Sequence, residues 1–82
     1  MREATAEVFD SWISGATEYF VAAGIARETA RELAFTMLSL LEGAFIFCRA
    51  MRTTEPLRVA GASAVAAVQA ALAAADIPPA RT

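Results

Sequence analysis

Carboxylates and one thiol are the side chains of this sequence with chemistry to offer. Glu28 and Glu32 stand one helical turn apart, with Arg27 and Arg31 interleaved. Two carboxylates at that spacing share a helix face and are candidates for acid–base work. The alternating cations make a solvated face with Glu28–Arg31 pairing the simpler expectation. Glu42 differs, because it lies inside the apolar run from Leu33 to Cys48. There it binds a cationic ligand, pairs with an Arg of a neighbouring helix, or emerges on a polar strip. A buried unpaired carboxylate is costly, so the first two readings each require a partner. Cys48 is the single cysteine, which rules out an intrachain disulfide. Set among apolar neighbours, it is expected to be a reduced thiol packed as a small hydrophobe. The chain contains no His, so Ser-His-Asp, Cys-His and His-based metal constellations cannot be built from it. Its glycines, at 15, 24, 43 and 61, are isolated and form no phosphate-cradling loop. The expectation is a non-enzyme with no catalytic residue, no metal site and no cofactor.

What these residues lack in chemistry the composition supplies in apolar surface. The chain has 82 residues, of which 57% are hydrophobic, against roughly 45–50% in an ordinary soluble domain. A chain this short buries only about 60–65% of the surface its unfolded form exposes, so the excess calls for a partner subunit, a ligand or a lipid phase. The formal net charge is −2 and all seven cations are Arg, spread from Arg2 to Arg81. That is not the clustered basic footprint of a nucleic-acid binder. Met1 to Trp12 alternate acids with apolar residues, unlike a secretory leader. The apolar run Leu33–Cys48 is 16 residues long and contains Glu42. That is short of the ~20 residues a membrane span needs, and the carboxylate adds a penalty of order 2–3 kcal/mol. The expectation is a soluble, cytoplasmic chain with no membrane partner.

The periodicity predicts an all-α chain of three helices, at about 3–23, 27–52 and 56–75, with a tail over 76–82. In the first, Phe9, Trp12, Ala16, Tyr19, Phe20 and Ala23 recur at helical spacing, with Glu7, Asp10, Ser14, Thr17 and Glu18 opposite. Gly24 supplies a left-handed stop, and Ile25 folds back as its apolar contact. The second helix starts after Ala26, which offers no side-chain cap. One of its apolar rows is Ala34, Leu38, Leu41, Phe45 and Cys48, and another is Leu33, Met37, Leu40, Ala44, Phe47 and Met51. Only a narrow strip through Glu32, Thr36, Ser39 and Glu42 or Gly43 is polar. A helix apolar over most of its circumference is buried on more than one side. Pro56 suits the first turn of the third helix. That helix carries a stripe of Leu57, Gly61, Ala64, Val65, Val68, Ala71 and Leu72 beside many Ala. Pro78 and Pro79 end the regular structure.

The stretch Leu40-Leu41-Glu42-Gly43-Ala44-Phe45-Ile46-Phe47-Cys48-Arg49-Ala50, followed by Arg52-Thr53-Thr54-Glu55-Pro56-Leu57, resembles the C-terminal domain of TetR/AcrR-type transcriptional regulators. It is most similar to the branch of LmrA-like multidrug-resistance repressors. Gly24-Ile25, Glu28, Ala30, Leu33-Ala34, Phe9 and Trp12 extend the likeness to roughly residues 3–75. The resemblance implies a domain that dimerises and binds a small effector, its last two helices pairing across a two-fold axis as a four-helix bundle. Operator DNA is implied only through a helix-turn-helix domain that these 82 residues do not include. The chain reads as a C-terminal segment of three helices.

From the apolar excess, a homodimer is expected through the second and third helices. Its centre is expected at Leu41, Phe45, Cys48, Leu57, Gly61, Ala64, Val65, Val68 and Leu72, where small residues allow close crossing. If the aromatic and thioether residues line an effector pocket rather than a core, Trp12, Phe20, Met37 and Phe47 are the candidates. Two other functions compete: a free-standing helical protein that binds a partner through the same faces, and a pocket protein for an apolar ligand.

Overall fold

The computed structural model describes the backbone of residues 2–76 and the side-chain surroundings of residues 5–75. It consists of α1 (Arg2–Ala22), α2 (Arg27–Met51) and α3 (Glu55–Asp76), with no strand among the described residues. The expected tail lies, beyond Asp76, outside the described residues. Connections this short make each helix antiparallel to the next. α2 is the central element: α1 and α3 both pack on it, and their backbones do not approach each other.

Local chemistry sets the helix ends. Gly24 takes a positive φ of 108°, which an L side chain resists. The Ile25 N–H donates back to the Phe20 carbonyl at 3.1 Å, and the Ile25 side chain is 3% exposed against Phe20. This is the glycine stop with its apolar clasp that the sequence predicts. Ala26 gives α2 no side-chain cap. At the other end of α2 the sequence carries no such signal. Arg52 takes the left-handed conformation (φ 58°), and the N–H groups of Arg52 and Thr53 both donate to the Cys48 carbonyl, at 2.8 and 3.3 Å. The turn into α3 is closed by the Glu55 N–H donating to Thr53 Oγ1 and by the Thr54 carbonyl accepting from Leu57 and Arg58.

The core gathers at one end of the molecule. Phe20, Ile25, Ala30 and Leu33 form a buried cluster, with Ala16, Val21, Met37, Ala67, Val68, Ala71 and Leu72 packed against it. The buried side of α1 differs from the expected stripe. Ile13, Thr17 and Phe20 are buried, whereas Trp12 and Tyr19 are exposed. Ile13, Thr17 and Phe20 follow the i, i+4, i+7 spacing of one face. Thr17, expected on the polar side, fits there because its hydroxyl donates to the Ile13 carbonyl at 2.6 Å, which removes the penalty of burying it.

Away from that end little is covered. The principal extents are 53 × 30 × 17 Å and the radius of gyration is 15.1 Å, against about 12 Å for a compact domain of this length. The accessible surface is 6102 Å², against about 4,700 Å² for a compact monomer of this mass. The helices form a layer with two open faces.

Candidate functional site

The open faces of α2 and α3 are apolar. In the C-terminal half of α2, Phe45, Ile46, Phe47 and Met51 are 50–65% exposed, and on α3 Val59 and Val65 are 59% and 55% exposed. The N-terminal half of the same helix holds the buried Ala30, Leu33 and Ala34, whereas in the C-terminal half Ala44 alone is buried.

The nine residues expected at a subunit interface differ in exposure, and Val68 and Leu72 among them pack against the core cluster. Phe45 and Val65 are exposed; Leu41, Cys48, Leu57, Gly61, Ala64, Val68 and Leu72 are half-buried. On α3, Ala64, Val65 and Val68 line a shallow hollow of about 200 Å³ with Met37 of α2. A side chain built on Gly61 would meet nothing within 4 Å, and the same is true of Gly43. Glycine inside a helix costs about 0.5–1 kcal/mol relative to Ala, and nothing among the described residues requires it at either position.

The four residues expected to line an effector pocket are not gathered into one cavity. Phe20 lies in the core and Met37 packs against that cluster. Trp12 stands on the α1–α2 seam, its ring edge-to-face with Phe9 at 5.4 Å. Phe47 lines a groove between α2 and α3 of about 470 Å³, together with Leu40, Ala44, Met51, Val59 and Ala60, with Ser39, Ser63 and Glu55 among its polar groups. The α2 wall of this groove is the apolar row Leu40, Ala44, Phe47 and Met51. Its α3 wall escapes sequence reading because Val59 and Ser63 stand outside the main stripe of that helix.

The charged residues separate into structural and unpartnered. Glu28 does not pair with Arg31. Among the described residues the ion pair is Arg27–Glu18, closed by two hydrogen bonds across the α1–α2 turn, at 2.5 and 3.3 Å. The hydrogen bond from Arg27, reinforced by its charge, holds the Glu18 carboxyl below the usual carboxylate range, and the same contacts raise the Arg27 guanidinium. Arg31 instead stands over the Phe35 ring, 5.1 Å from its centroid. Glu42 emerges at the surface between α1 and α2, beside Phe9, Trp12 and Phe35. No group of three or more metal-ligating side chains occurs among the described residues. By length and composition alone, α2 and the Glu55–Ala75 stretch of α3 are each apolar enough to cross a membrane.

Comparison with known proteins gives one family. Residues 1–63 match the profile described as "Transcriptional regulator LmrA/YxaF-like, C-terminal domain". The match spans α1, α2 and the first two turns of α3, so Ala64, Val65, Val68 and Leu72 lie beyond it. No curated protein and no solved structure matches the chain.

Proposed function

The chain belongs to the LmrA/YxaF-like C-terminal domains of TetR-type transcriptional regulators, and from that premise we propose that it is the subunit-pairing and effector-binding part of a ligand-responsive repressor. Such domains generally dimerise and bind effectors, in a family whose members are regulators rather than enzymes and work in the cytoplasm. The observation that carries the reading is the uncovered apolar face shared by α2 and α3. A second copy related by a two-fold axis covers that face with itself, giving a four-helix bundle from two α2–α3 hairpins. The face is of the right kind: a standard interface buries about 800 Å² per partner, less than the excess of this chain's surface over that of a compact monomer.

Effector binding falls to the 470 Å³ groove at Phe47, whose lining shares no residue with the nine expected at the interface. That volume lies within the usual range of about 300–1,000 Å³ for small-molecule sites. In this reading the effector acts by binding one arrangement of the helices better than another, shifting a pair of subunits between DNA-binding and non-binding states. Contact with DNA is assigned to a helix-turn-helix outside these residues, and none to the chain itself.

Sedimentation equilibrium tests the pairing. A dimer at micromolar concentration is expected, and a stable, folded monomer would sink the proposal. Partition of the chain into neutral lipid vesicles in place of dimerisation would assign the apolar faces of α2 and α3 to a bilayer instead.

A further inference from the structure

Phe45 and Phe47 are both at least half exposed, yet two residues apart on a helix means about 200° apart around its axis. One subunit contact cannot cover both. Phe45 belongs to the face read above as the subunit interface. Phe47 belongs to the opposite face, which carries the groove and, with it, the exposed Met51 and Val59. We propose that this groove face is a second contact with a copy of the same chain, so that pairs of subunits associate into a tetramer. The inference goes beyond the pairing above, which uses the other face.

Area is the first argument. The accessible surface of 6102 Å² exceeds that of a compact monomer by about 1,400 Å². One standard interface covers about 800 Å² of each partner. The remaining ~600 Å² per subunit reaches the lower end of the range for specific interfaces. Shape is the second. Gly43 and Phe47 stand one turn apart on the same row of α2, and both line the groove. Phe47 is a knob, 58% exposed. Gly43 is a hole, since a side chain built there would meet nothing within 4 Å. A two-fold axis passing between them sets two α2 helices antiparallel, with Phe47 of each copy opposite Gly43 of the other. Knob then meets hole twice, and the helical glycine gains a reason. Charge is the third. Glu55 is the sole charged residue of the groove lining and stands toward its end, so the face meets its own copy without like charges at the centre. Ser39 and Ser63 in the same lining suit a protein contact better than hydrocarbon.

Sedimentation equilibrium of the 82-residue chain at high micromolar concentration tests this. The parent is expected to be a tetramer. Phe47→Glu is expected to reduce it to the dimer of the other face, and Phe45→Glu to the dimer of the groove face, each with unchanged helicity. Gly43→Leu, which fills the hole, is expected to weaken the second contact about tenfold or more. A parent dimer that Phe45→Glu dissociates and Phe47→Glu leaves intact overturns the second contact and supports the pairing above. A parent dimer that only Phe47→Glu dissociates supports the groove contact and overturns that pairing. A parent that floats with phosphatidylcholine vesicles through Phe47 without self-associating there gives the face to a bilayer and overturns the proposal. The state of the parent needs no variant, so a parent that stays monomeric overturns the proposal even if a substitution disturbs folding.

Discussion

Thr17 and Phe20 show how differently two buried residues on one helix face can matter. The Thr17 hydroxyl donates to a carbonyl of its own helix, and that carbonyl keeps its ordinary helical partner if the hydroxyl is removed. Thr17→Val is therefore expected to change stability by less than about 1 kcal/mol. Phe20 closes the core cluster with Ile25, Ala30 and Leu33, and Phe20→Ala is expected to cost about 3–5 kcal/mol. Urea titration of the two variants side by side checks the contrast. Backbone conformation supplies a second residue-scale prediction. Arg52 holds a left-handed φ of 58°, a conformation costing an L residue roughly 1–2 kcal/mol, so Arg52→Gly is expected to raise the midpoint of thermal unfolding. A lower midpoint would show that the arginine side chain outweighs its backbone.

The expectation at the scale of elements concerns α3. Ala64 faces the open surface beside Val65 and Val68, and Ala66 is exposed on another side of the same helix. Overpacking a tight contact costs about 1–3 kcal/mol, and a two-fold interface meets each substitution twice. Ala64→Leu is thus expected to weaken the dimer by tenfold or more, with Ala66→Leu close to the parent; equal dissociation constants would remove α3 from the interface. The elements themselves were legible in the sequence because their signals are local. Gly24-Ile25 announces the first turn, Pro56 the start of α3, and the rows of α2 its need for cover on several sides. The rotation of α1 was not legible. Trp12 and Tyr19 drew the reading toward their side by size alone, whereas burial follows Ile13, Thr17 and Phe20, which meet α2. Nor was the groove, because Val59 and Ser63 acquire a role only from the way α3 lies on α2. The separation of Trp12, Phe20, Met37 and Phe47 depends on the same tertiary arrangement, which no periodicity encodes.

For the whole molecule, charge yields two predictions. The net charge is −2 with dispersed arginines, so the chain alone is expected to give no salt-sensitive, sequence-selective shift of a DNA fragment at submicromolar protein. Acid affects the staple between α1 and α2. The Glu18 carboxyl is held below its ordinary value in the folded chain, so its contribution is present above the unfolded value of about 4.3 and is lost as pH falls through the lower folded value. Both partners are more than 60% exposed, so the contribution is small and screened by salt. The gap in unfolding temperature between the parent and Glu18→Gln is expected to be modest at pH 7, to close as pH falls through the lowered folded value, and to shrink in high salt.

The layer is clasped at one end only. Phe20, Ile25, Ala30 and Leu33 tie the three helices together there, while farther along α1 and α3 rest separately on α2. Read in time rather than space, this asymmetry sets an order of opening. Backbone amides of α1 around Phe9 will exchange with solvent deuterium first, those of α3 around Val59 will follow unless a second subunit protects them, and those of α2 around Ala30 and Leu33 will exchange last. The isolated chain therefore has a slow end and a fast end. Any partner that seals the open faces will announce itself by slowing the fast end while leaving the slow one unchanged.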